Sequence, residues 1–162
     1  MLNSMEKIQR MQENLLLIRR IVGWSAEELG EKIGVTRQTI NSIESGRYKL
    51  TKTQYLAIRY VLNEEIIKNV EETKMLSDVI MLFIDDPDNY TENQRKDLKC
   101  KANMLAPSIL AKSATREELS RQWVNVIAAS GVVLGATAIS TLLGGVKLSN
   151  KQINRLVKEV IK

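Results

Sequence analysis

Apolar side chains recur every three or four residues along most of this chain. Between residues 4 and 22 they form one series with 3-4-3-4 spacing: Ile8, Met11, Leu15, Ile18 and Val22. Such spacing places them on one face of an α-helix. No stretch alternates apolar and polar residues between turn signals, as a half-buried strand would. The pattern therefore predicts an all-α fold.

Helix starts are indicated by pairs in which a hydroxyl residue precedes a Glu or Gln by three positions. Such capping boxes satisfy amide groups that a helix start leaves unpaired. Five occur: Ser25 with Glu28, Thr51 with Gln54, Thr91 with Gln94, Thr115 with Glu118, and Ser149 with Gln152. They support the all-α prediction, since strands have no use for this device.

The clearest internal break is an acidic, turn-rich stretch at residues 85–91, which contains Pro87. Before it, apolar spacing predicts a helix from residue 64 to about residue 84. After it, helices are expected at 92–105, at 108–112 and from residue 116 onward. We therefore expect two regions, residues 1–66 and a second helical region, residues 67–162.

Composition narrows the class of function. The 162 residues carry a net charge of +5, no histidine and one cysteine. Histidine-based triads and metal sites are excluded, and Cys100 cannot form an intrachain disulfide. The acidic stretch lacks the glycine of a calcium-binding loop, and no phosphate loop is present. We expect a protein that is not an enzyme, with no metal and no cofactor, in the cytoplasm.

Residues 24–47 have the pattern of two short helices joined by a tight turn. Ser25 and Thr36 are N-cap residues, and Trp24 and Val35 precede them as hydrophobic staples. Gly34 stands where the first of these helices must end, since glycine adopts the left-handed conformation of a helix stop. This arrangement is typical of a helix-turn-helix.

The second of these helices has an unusual outer face. Ile40 and Ile43 define its buried side, and the opposite side is polar and uncharged: Gln38, Asn41, Ser42 and Ser45. Gln and Asn can each form two hydrogen bonds with adenine, and Ser can serve several bases. The cations around this helix suit contacts with phosphate groups: Arg37, Arg47, Lys49 and Lys52.

In these residues the chain resembles the phage-repressor (Cro/cI or XRE) helix-turn-helix family, over residues 12–66. The resemblance implies a five-helix DNA-binding domain at residues 1–66. It assigns base reading to Gln38, Thr39 and Ser42. Contacts with or beside the DNA backbone fall to five residues: Thr36, Arg37, Asn41, Arg47 and Lys49. Arg19 and Glu44 match a pair that holds the domain together.

Two positions depart from the family pattern. Ala26 stands where the family often has a glutamine that touches a phosphate. Gly30 stands where the family usually has alanine, which keeps close helix approach possible but weakens the helix. Both departures predict a modest affinity for each half-site.

The resemblance implies a sequence-specific transcriptional regulator, and a dimeric repressor of phage or mobile-element type is favoured. Two-fold dimers on palindromic double-stranded DNA are the usual arrangement for such domains. Candidate dimer surfaces are the first helix, the 64–84 helix and the C-terminal half, and residues past 64 are favoured. The alternative is an antitoxin-like, partner-controlled or membrane-anchored regulator that uses residues 67–162 for protein interaction or membrane attachment.

Residues 122–146 contain no charged side chain. This stretch is long enough to cross a bilayer as a helix. Gly131 and Gly135 form a GxxxG pattern, which supports close packing of helices in membranes. However, the positive charges flanking this stretch are distributed the wrong way round for an N-terminal domain in the cytoplasm. The sequence therefore favours a buried helical hairpin over a membrane-spanning helix.

Overall fold

A computed structural model of the protein describes residues 3–134. By its internal contacts the chain divides into two compact units, Met1–Ser130 and Gly131–Lys162. In its described residues, 3–130, the regular secondary structure of the first unit is helical. Its helices are α1 (Ser4–Val22), α2 (Ala26–Ile33), α3 (Arg37–Glu44), α4 (Lys52–Lys68), α5 (Lys74–Ile80), α6 (Glu92–Leu105), α7 (Pro107–Leu110) and α8 (Arg116–Ser130). The prediction of an all-α fold is confirmed.

Four of the predicted capping boxes form at the helix starts. The N-cap residues of α2, α4 and α6 are Ser25, Thr51 and Thr91, each with reciprocal bonds to the third helical residue. Thr115 and Glu118 make the same pair of bonds before α8. The box predicted at Ser149 lies outside the described residues.

Helix α1 is the centre of the first unit. Its predicted apolar series from Ile8 to Val22 is buried, and so are Leu17 and Ile21 on a second face. The second face is covered because α1 packs against α3 and α4 and also against α5 and α7. The segment of residues 24–47 and the later helices thus share one core.

The prediction of one helix from residue 64 to residue 84 is wrong at its start. Helix α4 continues to Lys68, and the chain then turns through residues 69–73 before α5 begins. Hydrogen bonds stabilise this turn: the side-chain amide of Asn69 donates to Glu65 Oε1 at 2.9 Å, and Thr73 Oγ1 donates to the backbone carbonyl of Asn69 at 2.7 Å. The predicted boundary at residue 66 therefore falls inside α4.

Beyond α5 the helix winds as a π turn through Met81–Asp85, and a short 3-10 turn follows at Pro87–Asn89. The chain thus leaves the helix within the acidic stretch at 85–91. Asp85 does not lie free in solvent, because Arg59 of α4 donates two hydrogen bonds to it at 3.2 and 3.1 Å.

One side chain of α8 binds this helix to the end of α1, to α4 and to the turn after α4. Arg116 donates to Glu65 Oε1 at 2.7 Å, to Glu72 Oε2 at 2.6 Å and to the carbonyl of Val22 at 3.3 Å. Arg116 therefore bonds to residues before and after position 66, all of which lie in the first unit.

The uncharged stretch at 122–146 is only partly described. Its first part forms the end of α8, which stops at Ser130. Within the described residues no helix is both long enough and apolar enough to span a membrane. Residues 135–146 lie outside that part of the chain, and so does the second helix of the expected hairpin.

Candidate nucleic-acid interface

Helices α2 and α3 have eight residues each and are joined by three residues, 34–36. Gly34 ends α2 with a φ of 78°, in the left-handed region. Thr36 Oγ1 then accepts a hydrogen bond from the Thr39 amide at 3.1 Å and caps α3. The turn predicted between two capped helices is present.

The close approach of the turn to α2 depends on Gly30. The Val35 amide donates to the Gly30 carbonyl at 2.9 Å. A Cβ atom on Gly30 would lie 2.6 Å from the Val35 carbonyl oxygen, closer than such atoms can approach. Glycine at this position therefore fits the path of this turn, and alanine would push the turn away.

The predicted buried and exposed sides of α3 are largely present. Ile40 and Ile43 are fully buried, whereas Arg37, Gln38, Asn41 and Ser45 are exposed. The side chains of Gln38 and Asn41 form no hydrogen bond with other residues of the described chain. Their amide groups are thus free to bind a ligand.

Two of the three side chains predicted to read bases are less accessible than Gln38. Ser42 is only 4% exposed, so in this structure its side chain is covered and does not lie on the surface of α3. The chain after α3 folds back here, and the Tyr48 amide donates to the Ser42 carbonyl at 3.0 Å. Thr39 is half-buried, and its hydroxyl lies 3.0 Å from that of Thr36.

A residue that the sequence did not single out holds the segment after α3 in place. Gln12 of α1 donates to the carbonyls of Ile43 and Tyr48 at 2.9 and 2.7 Å, and its oxygen accepts from the Leu50 amide at 3.0 Å. Three partners for one amide leave little freedom for the backbone of residues 43–50. Gln12 thereby positions Arg47 and Lys49, both exposed.

The cations predicted around α3 lie on the surface. Arg37, Arg47, Lys49 and Lys52 are exposed, and none forms an ion pair within residues 3–134. The one acidic residue among them, Glu44, is neutralised, because Arg19 pairs with it at 2.6 Å. The segment therefore presents positive charge, which attracts phosphate groups.

The first turn of α2 has a different charge. Glu27 is exposed, and Glu28 Oε2 accepts from the Ser25 amide at 2.6 Å to complete the capping box. Ala26, at the first helical position, is buried. Two carboxylates repel a phosphate group, so the start of α2 is a poor phosphate site. This agrees with the alanine at position 26, where the family often has a glutamine that touches a phosphate.

A family model described as helix-turn-helix matches residues 15–65. An uncharacterized HTH-type transcriptional regulator of Methanothermobacter thermautotrophicus is 40% identical over 52 residues, which are 32% of this chain and 75% of that protein. The uncharacterized HTH-type transcriptional regulator YgzD of Bacillus subtilis is 47% identical over 38 residues, 24% of this chain and 58% of YgzD. No solved structure matches. The chain belongs to the XRE-type helix-turn-helix family of DNA-binding transcriptional regulators.

Proposed function

We propose that this regulator is a repressor that reads a specific sequence of double-stranded DNA with α3 in the major groove. The observation that carries the proposal is the pair of exposed side-chain amides of Gln38 and Asn41 on α3, which have no hydrogen-bond partner within residues 3–134. A side-chain amide can donate to N7 and accept from N6 of one adenine only if no protein group occupies it. We expect adenine at two positions of each half-site.

The surrounding cations would hold α3 in register along the groove. Arg37 precedes the reading residues, and Arg47 and Lys49 follow them on the segment that Gln12 positions. Contacts with phosphate groups fix orientation and supply affinity without sequence preference. Thr36 lies beside Arg37 at the start of α3. We therefore expect Thr36 to face the same DNA strand as Arg37.

One eight-residue recognition helix reads few base pairs, so we infer that two copies bind a palindromic operator. The half-sites of such dimers lie about 34 Å apart, one turn of the double helix. The resemblance to phage repressors supports an origin in a phage or mobile element and action by blocking transcription. A DNA target places the protein in the cytoplasm, and nothing in this role requires catalysis or a cofactor.

Selection of operator sequences from random duplexes, with the full chain as bait, tests the proposal. The affinity for the selected duplex is then compared with that for a scrambled duplex by fluorescence anisotropy. Gln38→Ala should reduce the preference for the selected duplex, and Lys49→Ala should weaken both and lower the salt dependence by about one phosphate contact. Equal affinity of the unaltered protein for both duplexes would overturn sequence-specific binding.

The direction of regulation needs a transcription assay. The selected operator is placed across the start site of a reporter gene, and a scrambled operator serves as control. We expect lower transcription in the presence of the protein from the first reporter alone. An increase would show an activator.

A further inference from the structure

Three large apolar side chains form an exposed row on one face of α4. Leu56, Tyr60 and Ile67 are 55%, 65% and 76% exposed. Spacings of four and seven residues place them on the same side of the helix, opposite the buried Ile58 and Leu62. Single exposed apolar residues are common on protein surfaces, but an aligned row of them indicates a surface that another molecule covers.

We propose that this row (the α4 row) binds a second copy of the same chain across a two-fold axis. The inference rests on the proposed function, in which two copies share one palindromic operator. A two-fold interface must be complementary to itself: where one residue contacts a second residue of the partner, that second residue contacts the partner's copy of the first. The α4 row meets this requirement if the two helices run antiparallel.

One antiparallel register pairs both the apolar and the charged residues. With Leu56 opposite the partner's Tyr60, Lys52 stands opposite the partner's Glu64. Lys52 and Glu64 are both exposed, and the two-fold axis creates this ion pair twice. Ile67 then extends past the start of the partner's α4, the region of Tyr48, which is 58% exposed.

These charges are available for a partner. Within one chain, Lys52 and Glu64 are separated by about 18 Å along α4 and cannot touch each other. Lys52 forms no ion pair in the described chain. Glu64 bonds with Lys68 at 3.2 Å and accepts from the Tyr60 hydroxyl at 3.3 Å, and all three of these side chains are exposed. Such exposed pairs contribute little and exchange partners readily. Self-complementarity in both apolar residues and charge therefore favours a second copy over an unrelated protein.

Charge reversal tests the register on the full chain without DNA, with sedimentation equilibrium as the readout. Lys52→Glu and Glu64→Lys should each weaken the dimer by about tenfold or more, since two attractions become two repulsions. An equimolar mixture of the two variants should recover the dimer, because the heterodimer has opposite charges at both positions. The double variant should recover it too. Met104→Glu, at a residue 77% exposed on α6, is the control and should leave dimerisation unchanged.

Several outcomes would overturn the inference. They are a monomeric unaltered chain, single variants that dimerise like the unaltered chain, and a mixture without recovery. The last two results would assign dimerisation to another surface, and the first would show that no second copy covers the α4 row. Circular dichroism during heating shows that each variant is folded.

Binding to DNA separates this inference from the proposed function. If the dimer forms as described but the selected and scrambled duplexes bind equally, the proposed function fails and the interface stands. If a single half-site duplex is bound with sequence preference but charge reversal has no effect on dimerisation, the interface fails and the function stands.

Discussion

The guanidinium group of Arg19 in α1 and the carboxylate of Glu44 in α3 form two parallel hydrogen bonds. Nε lies 2.6 Å from Oε1, and Nη2 lies 3.1 Å from Oε2. The remaining nitrogen, Nη1, donates to the carbonyl of Trp24 at 3.0 Å. The two side chains are 10% and 8% exposed. One arginine thus fixes both the end of α3 and the turn before α2 relative to α1.

Replacement of Arg19 should destabilise the fold strongly. Arg19→Met leaves Glu44 buried without its partner, a change that costs about 3–5 kcal/mol of the free energy of unfolding. The double variant Arg19→Met with Glu44→Leu should recover most of this loss, because no unpaired charge remains. Urea unfolding measures both.

The exposed pair of Lys96 and Glu92 on α6 is the control for Arg19. Lys96→Met should cost less than about 1 kcal/mol, as is usual for exposed pairs. A loss at Arg19 as small as the loss at Lys96 would mean that the buried pair contributes nothing particular to the fold.

Replacement of Gln12 should loosen the segment that carries Arg47 and Lys49. Gln12→Met keeps the length of the side chain but removes its three hydrogen bonds. Backbone groups left without partners cost about 1–3 kcal/mol. We also expect faster hydrogen exchange of the Leu50 amide and weaker binding to any duplex.

Gln9 provides a matched control for Gln12, one helical turn earlier on α1. In the part of the chain that the structure describes, its side chain donates to Glu13 alone, at the surface. Gln9→Met should therefore leave both the free energy of unfolding and the exchange of the Leu50 amide nearly unchanged. Equal effects of the two variants would contradict a clamp at Gln12.

Helix starts could be predicted because capping depends on residues three positions apart. The boxes at Ser25, Thr51 and Thr91 illustrate this. The start of α5 could not be predicted in this way. The apolar spacing continues through residues 69–73, whereas the break depends on side-chain bonds of Asn69 and Thr73 that no periodicity reveals.

The candidate interface was predictable to the extent that it depends on one helix. The angular positions on α3 placed Ile40 inside and Gln38 outside. The burial of Ser42 and the contacts of Gln12 depend on the return of residues 46–50 toward α1, across 36 to 38 positions of sequence. A helical projection includes no neighbouring segment, so it cannot show which polar residues the fold covers.

Gly30→Ala should destabilise the helix-turn-helix, although alanine is the better helix former. The added Cβ would meet the Val35 carbonyl at 2.6 Å, and such overpacking costs about 1–3 kcal/mol, against a gain of about 1 kcal/mol in helix propensity. Urea unfolding measures the net loss. Gly34→Asn is the control, since this position has open space and asparagine tolerates a positive φ. Higher stability of Gly30→Ala would show that the turn yields freely.

Asp78 should make stability depend on pH. Its Oδ2 accepts from Trp123 Nε1 at 3.1 Å, and burial raises the pKa of this carboxyl above its ordinary value of 3.8. The folded protein thus binds the proton more tightly than the unfolded chain. As the pH falls from above the raised pKa toward 3.8, the free energy of unfolding of the unaltered protein should increase relative to that of Asp78→Asn. As the pH rises again, this gain should be lost.

Urea unfolding of both proteins between about pH 7 and pH 4 measures this difference, because other groups cancel in the comparison. Asp97→Asn, which alters an exposed pair with Lys101, serves as the control. A difference between the unaltered protein and Asp78→Asn that stays constant over this range would contradict the raised pKa.

The two polar neighbours on α3, Asn41 and Ser42, should differ in their effect on DNA. Asn41 is exposed and Ser42 is 4% exposed, so a base in the groove can reach the first. Asn41→Ala should reduce the preference for a selected operator over a scrambled duplex by about 1–3 kcal/mol, the usual contribution of a bidentate contact. Ser42→Ala should retain the preference. Fluorescence anisotropy of the unaltered protein and both variants with both duplexes measures the six affinities. The reverse result would mean that α3 docks on DNA with its Ser42 side and that the segment after α3 moves aside on binding.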